Sequence, residues 1–316
     1  MWESGGIDGR GTVGDFVHND ANLLPALITG AAIQDTLVPI MLEAAKVQSI
    51  YRYPVKGLSP EPLAHAYLGV AATVPGDRLY AIENGPSGFD PAAPRYQPKQ
   101  RYLMLMRNAR LATLRSRFDD ASHTLTIDCE GREQARGDLR TAAGRATIEE
   151  FFGEFCAADL RGPPKLLHAP GFSFSDVARK VVSVINLESI PVLEMALGAP
   201  VDPLRFRANL YVSGWPAWHE FDLIGRQITI GENAGLKIVK RIVRCAATDV
   251  DPVTGIRDLA ISQTLMRAFC HRDFGVYAQV IAEGDIALAD TVRHADSPGH
   301  LDMPQGSAGH ERRSPR

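Results

Sequence analysis

The chain has 316 residues, 45% hydrophobic and 22% charged, which is enough length and apolar content to bury one large core or two smaller ones. A net charge of -3 argues against a general nucleic-acid binder, which carries a basic excess. The four cysteines, Cys129, Cys156, Cys245 and Cys270, form no CxxC, so neither a disulfide framework nor a zinc-finger pattern is present and a reducing, cytoplasmic setting is expected.

Residues 1-45 begin the chain with an apolar stretch, ANLLPALITGAAIQDTLVPIMLEA (Ala21 to Ala44). Pro25, Gln34, Asp35 and Pro39 interrupt it, a mid-span charge is costly in lipid, and no basic segment precedes it. It reads as a helical or irregular extension, with a signal-anchor as the lesser alternative and membrane attachment not expected. Strand character then recurs in KVQSIYRYPV, PLAHAYLGV and DRLYAIEN, and again in LATLRSRFD and HTLTIDC, with a turn at Asp119-Asp120. Between these groups, Glu83 to Gln100 is a long loop rich in Pro and Gly, and long loops in compact domains are often functional. RATIEEFFGEFC (Arg145 to Cys156) predicts a helix with Ile148, Phe151, Phe152 and Phe155 on one face.

After the break at RGPPK, KVVSVIN reads as a buried strand and LESIPVLEMALG as a short helix stopped by Gly198. RFRANLYVSG, RQITIG and LKIVKRIVRC read as three further strands. LAISQTLMRAFCHR is an amphipathic helix, and FGVYAQVIAEGDIALADTV reads as a closing hairpin turning at Glu283-Gly284. The polar Gly/Pro/Ser-rich end, residues 294-316, predicts disorder. The fold class is mainly β with a few helices: a barrel-like domain over 161-293 preceded by a smaller β-barrel-like unit over 46-160. No GxGxxG after a strand, P-loop, HExxH or GxSxG is present, and the cysteine spacing builds no ferredoxin-type cluster.

Two stretches carry chemistry. In RFRANLYV, strand geometry projects Arg205, Arg207 and Asn209 to one face, which suits a phosphate or other planar anion. A solvated face with its own salt bridges fits the same spacing and is slightly favoured by it. In RIVRCAATDVDPVTG, Cys245 follows Arg244 at a strand end, where a neighbouring cation favours the thiolate, although a free cysteine is more often a small buried hydrophobe. Asp251 and Gly255 read as turn formers, Trp215 and Trp218 as loop packing, and the other cysteines as packing residues.

As an ordered set these stretches resemble the MOSC domain family, named for the C-terminal domain of molybdenum-cofactor sulfurases. YRYPVKGL resembles the family's N-terminal β-barrel segment; VSVINLESI, RFRAN, RCAATDVDPVTG and FGVYAQVIAEGDIALADTV resemble successive landmarks of the MOSC domain over roughly residues 47-293. The resemblance implies binding of the molybdenum cofactor, molybdopterin with molybdenum, with Lys56, beside Gly57, and Arg78 on its phosphate. It implies further cofactor contacts from Arg207 and Asn209, and Cys245 as the protein ligand to molybdenum. Arg244 and Tyr277 join the expected cofactor site, and Asp249 joins Cys245 as a catalytic candidate. A family-level association with pyridoxal phosphate assigns no residue here. The sequence departs from the family at Ala208, where proline is common, at HEFD (His219 to Asp222), and at SDVARK, which lacks a Thr-Ser pair for which Lys180 or Ser183 would substitute. The activity implied is reduction of a small N-oxygenated substrate with electrons from an external donor protein, as in amidoxime-reducing members. The alternative is a sulfur or cofactor carrier using Cys245.

Overall fold

The structure is a computed structural model that describes residues 44–294. The extension expected over 1-45 and the tail expected over 294-316 lie outside the described residues, except that Ala44 and Ala45 lead into the first strand and His294 ends the last. Seven strands come first: β1 (Ala45–Arg52), β2 (Glu61–Leu63), β3 (His65–Leu68), β4 (Tyr80–Asn84), β5 (Leu114–Asp119), β6 (Thr124–Cys129) and β7 (Arg132–Asp138). Helix α1 (Ala142–Phe155), β8 (Pro164–His168), β9 (Val182–Asn186), α2 (Ser189–Leu197) and β10 (Leu210–Ser213) follow. The chain continues through β11 (Gln227–Ile230), β12 (Ala234–Val243), α3 (Ile261–Phe269), β13 (Asp273–Ala282), β14 (Gly284–Ala287) and β15 (Thr291–His294).

Seven of these strands close on themselves in the order β10-β9-β13-β12-β11-β15-β1, with β1 pairing back to β10 and β2 appended to β1. Pleat alternation fills the barrel: Val276, Ala278 and Val280 of β13, Leu236 and Ile238 of β12, and Val47 of β1 are all fully buried in one cluster. β9 is buried on both faces. Val182 and Val184 enter the barrel, while Ile185 joins Phe206, Tyr211, Phe274 and the buried residues of α2 and α3 outside it. β1, at the start of the described residues, is thus a stave between β15 and β10.

The remaining strands form a β5-β6-β7 meander, a β4-β8 pair and a β3-β14 pair. Thr141 caps α1 by accepting from Gly144 N at 2.9 Å, and Ile148 and Phe152 of the expected apolar face are fully buried. Helix and meander touch backbone to backbone: a Cβ on Gly137 would lie 2.2 Å from the carbonyl oxygen of Gly144, so only glycine fits there.

Three expectations change. The 205–212 stretch is not one strand. Asp202 accepts from Leu204 N at 2.8 Å and Pro203 pre-sets a 3₁₀ turn through Phe206; Arg207 is left-handed at φ 51°, and β10 starts only at Leu210. Arg205 and Arg207 therefore do not share a strand face. No hairpin turns at Glu283-Gly284, because β14 leaves the barrel to pair with β3, with Gly284 so close to the start of β12 that a Cβ would meet Ala234 N at 2.7 Å. Cys270, expected in packing, is exposed at the left-handed end of α3.

Candidate functional site

A cavity of about 310 Å³ opens where the loop after β1, the loop before β9 and the end of β12 converge. Eight of its lining residues are Lys or Arg and two are Asp, so a chain of net charge -3 concentrates positive charge here.

Lys56 enters through a backbone bond to Tyr80 O at 2.8 Å, and Gly57 follows at φ 87° with its Cα against the Leu103 carbonyl, where a Cβ would sit at 3.0 Å. Lys56 is 6% exposed; its ammonium group donates to Phe174 O at 2.9 Å and to the Asp176 carboxylate. Burial pulls its pKa down, and Asp176 offsets part of that. Burial acts to raise Asp176, but Lys56 and Lys99, 3.6 Å away, outweigh it and hold this carboxyl well below the usual range.

Arg78, left-handed at φ 50°, pairs with Asp77 and donates to Arg207 O at 3.0 Å. The guanidinium groups of Arg78 and Arg207 both lie over the ring of the fully buried Tyr53, at 4.4 and 4.3 Å. Arg207 donates to Leu58 O at 2.8 Å, and Arg244 donates to Phe274 O at 2.8 and 2.6 Å and to Phe206 O at 2.9 Å. Among the described residues neither meets a carboxylate, and burial lowers both pKa values. Both groups are half-buried and feel Asp176 only at a distance; desolvated guanidinium groups without a contacting carboxylate are costly, and an anion brought in from outside reduces that cost.

Cys245 lies two residues past β12, half-buried, in a turn held by Thr248 N and Oγ1 donating to its carbonyl at 3.0 Å. The cation at its sulfur is Lys99, whose Nζ donates to Sγ at 3.3 Å, and not Arg244, which turns to the carbonyls. Tyr277 lines the cavity from β13, with its phenol pushed up by burial. Among the described residues no cluster of three His, Cys, Asp or Glu side chains could hold a metal ion, so Cys245 is a single ligand at most.

Of the other expected site residues, two line the cavity and two lie off its wall. Asn209 Oδ1 accepts from Ser183 N at 3.1 Å and Ser183 Oγ at 2.8 Å, and its Nδ2 donates to Tyr51 O at 3.1 Å, so both residues line the cavity while bracing β9, β10 and β1. Lys180 is exposed and outside the cavity wall. Asp249 is also outside it; burial raises its pKa, and backbone N–H groups of Ile261 and Ser262 at the start of α3 act against that. Lys99 and Asp176 are site residues that sequence reading did not single out. The long Pro/Gly loop ending at Gln100 was the signal for Lys99.

Comparison with known proteins gives the frame for this geometry. Residues 169–293 match the model of the MOSC domain, and residues 44–159 that of the MOSC N-terminal beta barrel domain. Among solved structures, the YuaD protein of Bacillus subtilis is 12% identical with a TM-score of 0.38, covering 79% of this chain and 94% of its own. YiiM of Geobacillus stearothermophilus is 15% identical with a TM-score of 0.29, covering 36% of this chain and 54% of its own. No curated protein matches the chain.

Proposed function

The chain belongs to the MOSC domain family, and on that premise we propose that it is a molybdenum-cofactor-dependent oxidoreductase acting on small N-oxygenated compounds. The observation that carries the reading is the pair of half-buried guanidinium groups, Arg207 and Arg244, with no carboxylate in contact among the described residues, in a cavity that also holds a half-buried thiol.

The donor set fits the cofactor. Lys56 and Arg78 suit its terminal phosphate as fixed charge-assisted donors, and Arg207 and Arg244 neutralise the rest of its anionic body. Cys245 offers one soft sulfur, which suffices for a metal that arrives with sulfur ligands of its own. Bound there, the cofactor supplies two-electron redox chemistry at its metal. The protein's part is to hold the Cys245 sulfur in the cavity wall, with Lys99 Nζ as a proton-bearing donor to it. In the overall reaction the N–O bond of an N-hydroxylated substrate breaks, two electrons and two protons enter, and the amine or amidine product and water leave. An external donor protein supplies the electrons.

The same Lys99–Cys245 contact favours a second reading, a sulfur or cofactor carrier in which a nucleophilic Cys245 holds a persulfide. Protein from a cofactor-producing host separates the two. The reductase reading expects near-stoichiometric molybdenum and pterin, and turnover of a hydroxylamine or amidoxime with a chemical reductant. Loaded protein that accepts electrons, turns over neither compound and carries a persulfide mass on Cys245 overturns it.

A further inference from the structure

Beside the charged cavity lies a second one of about 260 Å³, and the two share Gly57, Leu105, Arg205, Arg207 and Ala247 in their walls. The rest of its wall is mostly carbon, with Leu58, Leu111, Leu114, Leu204 and Val250 prominent. Polar side chains in that wall are engaged elsewhere. Ser59 Oγ donates to Leu114 O and accepts from Ser116 N, each at 3.0 Å. Arg115 donates to the carbonyls of Ala112 at 2.8 Å and Leu114 at 3.1 Å. Asp202 holds the N–H of Leu204 at 2.8 Å, and Arg205 is paired with Asp251 and Asp258. The exception is Arg207, which donates one bond to Leu58 O out of the five that a guanidinium can make.

We propose that this second cavity binds the apolar body, one ring or a short branched chain, of a small oxyanionic or N-oxygenated molecule whose polar head is held by the Arg207 donors that an anion in the charged cavity leaves free. Its size sets the class: an apolar cavity of about 150 Å³ already holds a benzene ring, so this one takes a ring and a short substituent. Its position sets the orientation, because Arg207 and Ala247, two residues from Cys245, are on the wall shared with the thiol-bearing cavity. Its mouth is open to solvent at Val253, 59% exposed, so a ligand reaches it without crossing the charged cavity. As the substrate's subsite this rests on the reductase reading; as a binding site it does not.

The test is calorimetric titration of the full chain with phenylacetate and with acetate. Burying the ring is expected to make phenylacetate bind at least about tenfold tighter than acetate. Leu204→Trp fills the cavity and Val253→Trp blocks its rim; each is expected to erase the ring's advantage and leave acetate binding unchanged. Equal affinity for the two acids, or an undiminished ring advantage in a folded Trp variant, overturns the proposal. If Leu204→Trp fails to fold, Val253→Trp at its exposed position decides. Neither measurement involves molybdenum, so failure here and failure of the cofactor reading are told apart by metal content.

Discussion

Arg205 and Arg207 are two residues apart and identical in type, yet the fold treats them oppositely. Arg205, with a side chain 3% exposed, bonds both carboxylate oxygens of Asp258 at 2.8 Å and Asp251 at 3.1 Å. Arg207 bonds one carbonyl, stacks on Tyr53 and meets no carboxylate among the described residues. The difference sorts buried charge into two kinds. Charge neutralised by the protein holds the protein together, tying the 3₁₀ turn before β10 to the loop before α3. Charge left without a contacting carboxylate is open to an anion that enters the cavity. Arg244 and the Cys245 thiol lie in the wall with Arg207, as do Lys56, Arg78 and Arg205, each of which has a carboxylate partner.

The largest effect on the binding side comes from Cys245→Ser. A hydroxyl is a harder, weaker ligand than a thiolate, so bound molybdenum and turnover should both be lost, while pterin is partly retained through the separate phosphate contacts. Metal and pterin are assayed separately on purified protein. A serine variant with full molybdenum and an unchanged metal spectrum would remove Cys245 from the site.

The two arginines test the comparison directly. Arg205→Met leaves two carboxylates without their partner, and because both are partly exposed the cost should fall below that of a fully buried pair, about 2–3 kcal/mol. That corresponds to a melting temperature lower by roughly 3–6 °C, with cofactor occupancy per folded molecule reduced less than in Arg207→Met. Arg207→Met should do the reverse. It relieves a half-buried charge that no carboxylate contacts, so the melting temperature stays within a few degrees, and occupancy drops about tenfold or more. Equal destabilisation by both variants would erase the distinction.

A buried carboxyl sharpens the scaffold side. Glu220 is fully buried, accepts from Asn186 Nδ2 at 3.1 Å and Ser189 Oγ at 3.4 Å, and is pushed by burial from 4.5 up to about 7. A folded-state pKa above the unfolded one means that the folded protein binds the extra proton between these values. Its stabilising contribution is complete below pH 4.5, is lost as pH rises through about 7, and is flat above that. The total is about 3 kcal/mol. Urea unfolding at pH 5, 6, 7 and 8 should show that decline in the wild type and a flatter profile in Glu220→Gln, in which no proton is exchanged. A decline of the same size in both proteins would assign it to other groups.

Many strands could be read from the sequence: β1 and β12 of the barrel and β5 of the meander alternate, β9 is an apolar run, these and β6 overlap the expected runs to within two residues, and Gly198 ends α2 in the left-handed conformation. The Cys245 landmark was legible as one of an ordered set of motifs. What escaped did so for identifiable reasons. The 205–209 reading assumed a strand, and period-two logic fails once Asp202 and Pro203 start a tighter turn. β7, REQARGD, carries its charges outward and shows almost no apolar alternation; its neighbours β6 and α1 hold it. β14 finds its partner β3 about two hundred residues earlier, beyond any local signal. Lys99 reaches the cavity from a single 3₁₀ turn, Lys99–Arg101, and Asp176 from an irregular segment, where no periodicity points a side chain anywhere.

Lys56 lies between the two kinds of charge and gives the smallest effect. It has a carboxylate, Asp176, but that carboxylate is on the irregular segment before β9, is 47% exposed, and also faces Lys99. An incoming phosphate therefore competes with an internal partner. A charge-assisted bond contributes about 1.5–3 kcal/mol, and displacing Asp176 subtracts from it, so Lys56→Ala should weaken cofactor retention by about tenfold. Asp176→Asn should act in the opposite direction and strengthen retention severalfold, because it removes the competitor and leaves the ammonium. Occupancy after extensive dialysis reads both variants. Should Lys56→Ala keep full occupancy while Asp176→Asn lowers the melting temperature, the Lys56–Asp176 pair is scaffold, and Lys56 moves to Arg205's side of the comparison.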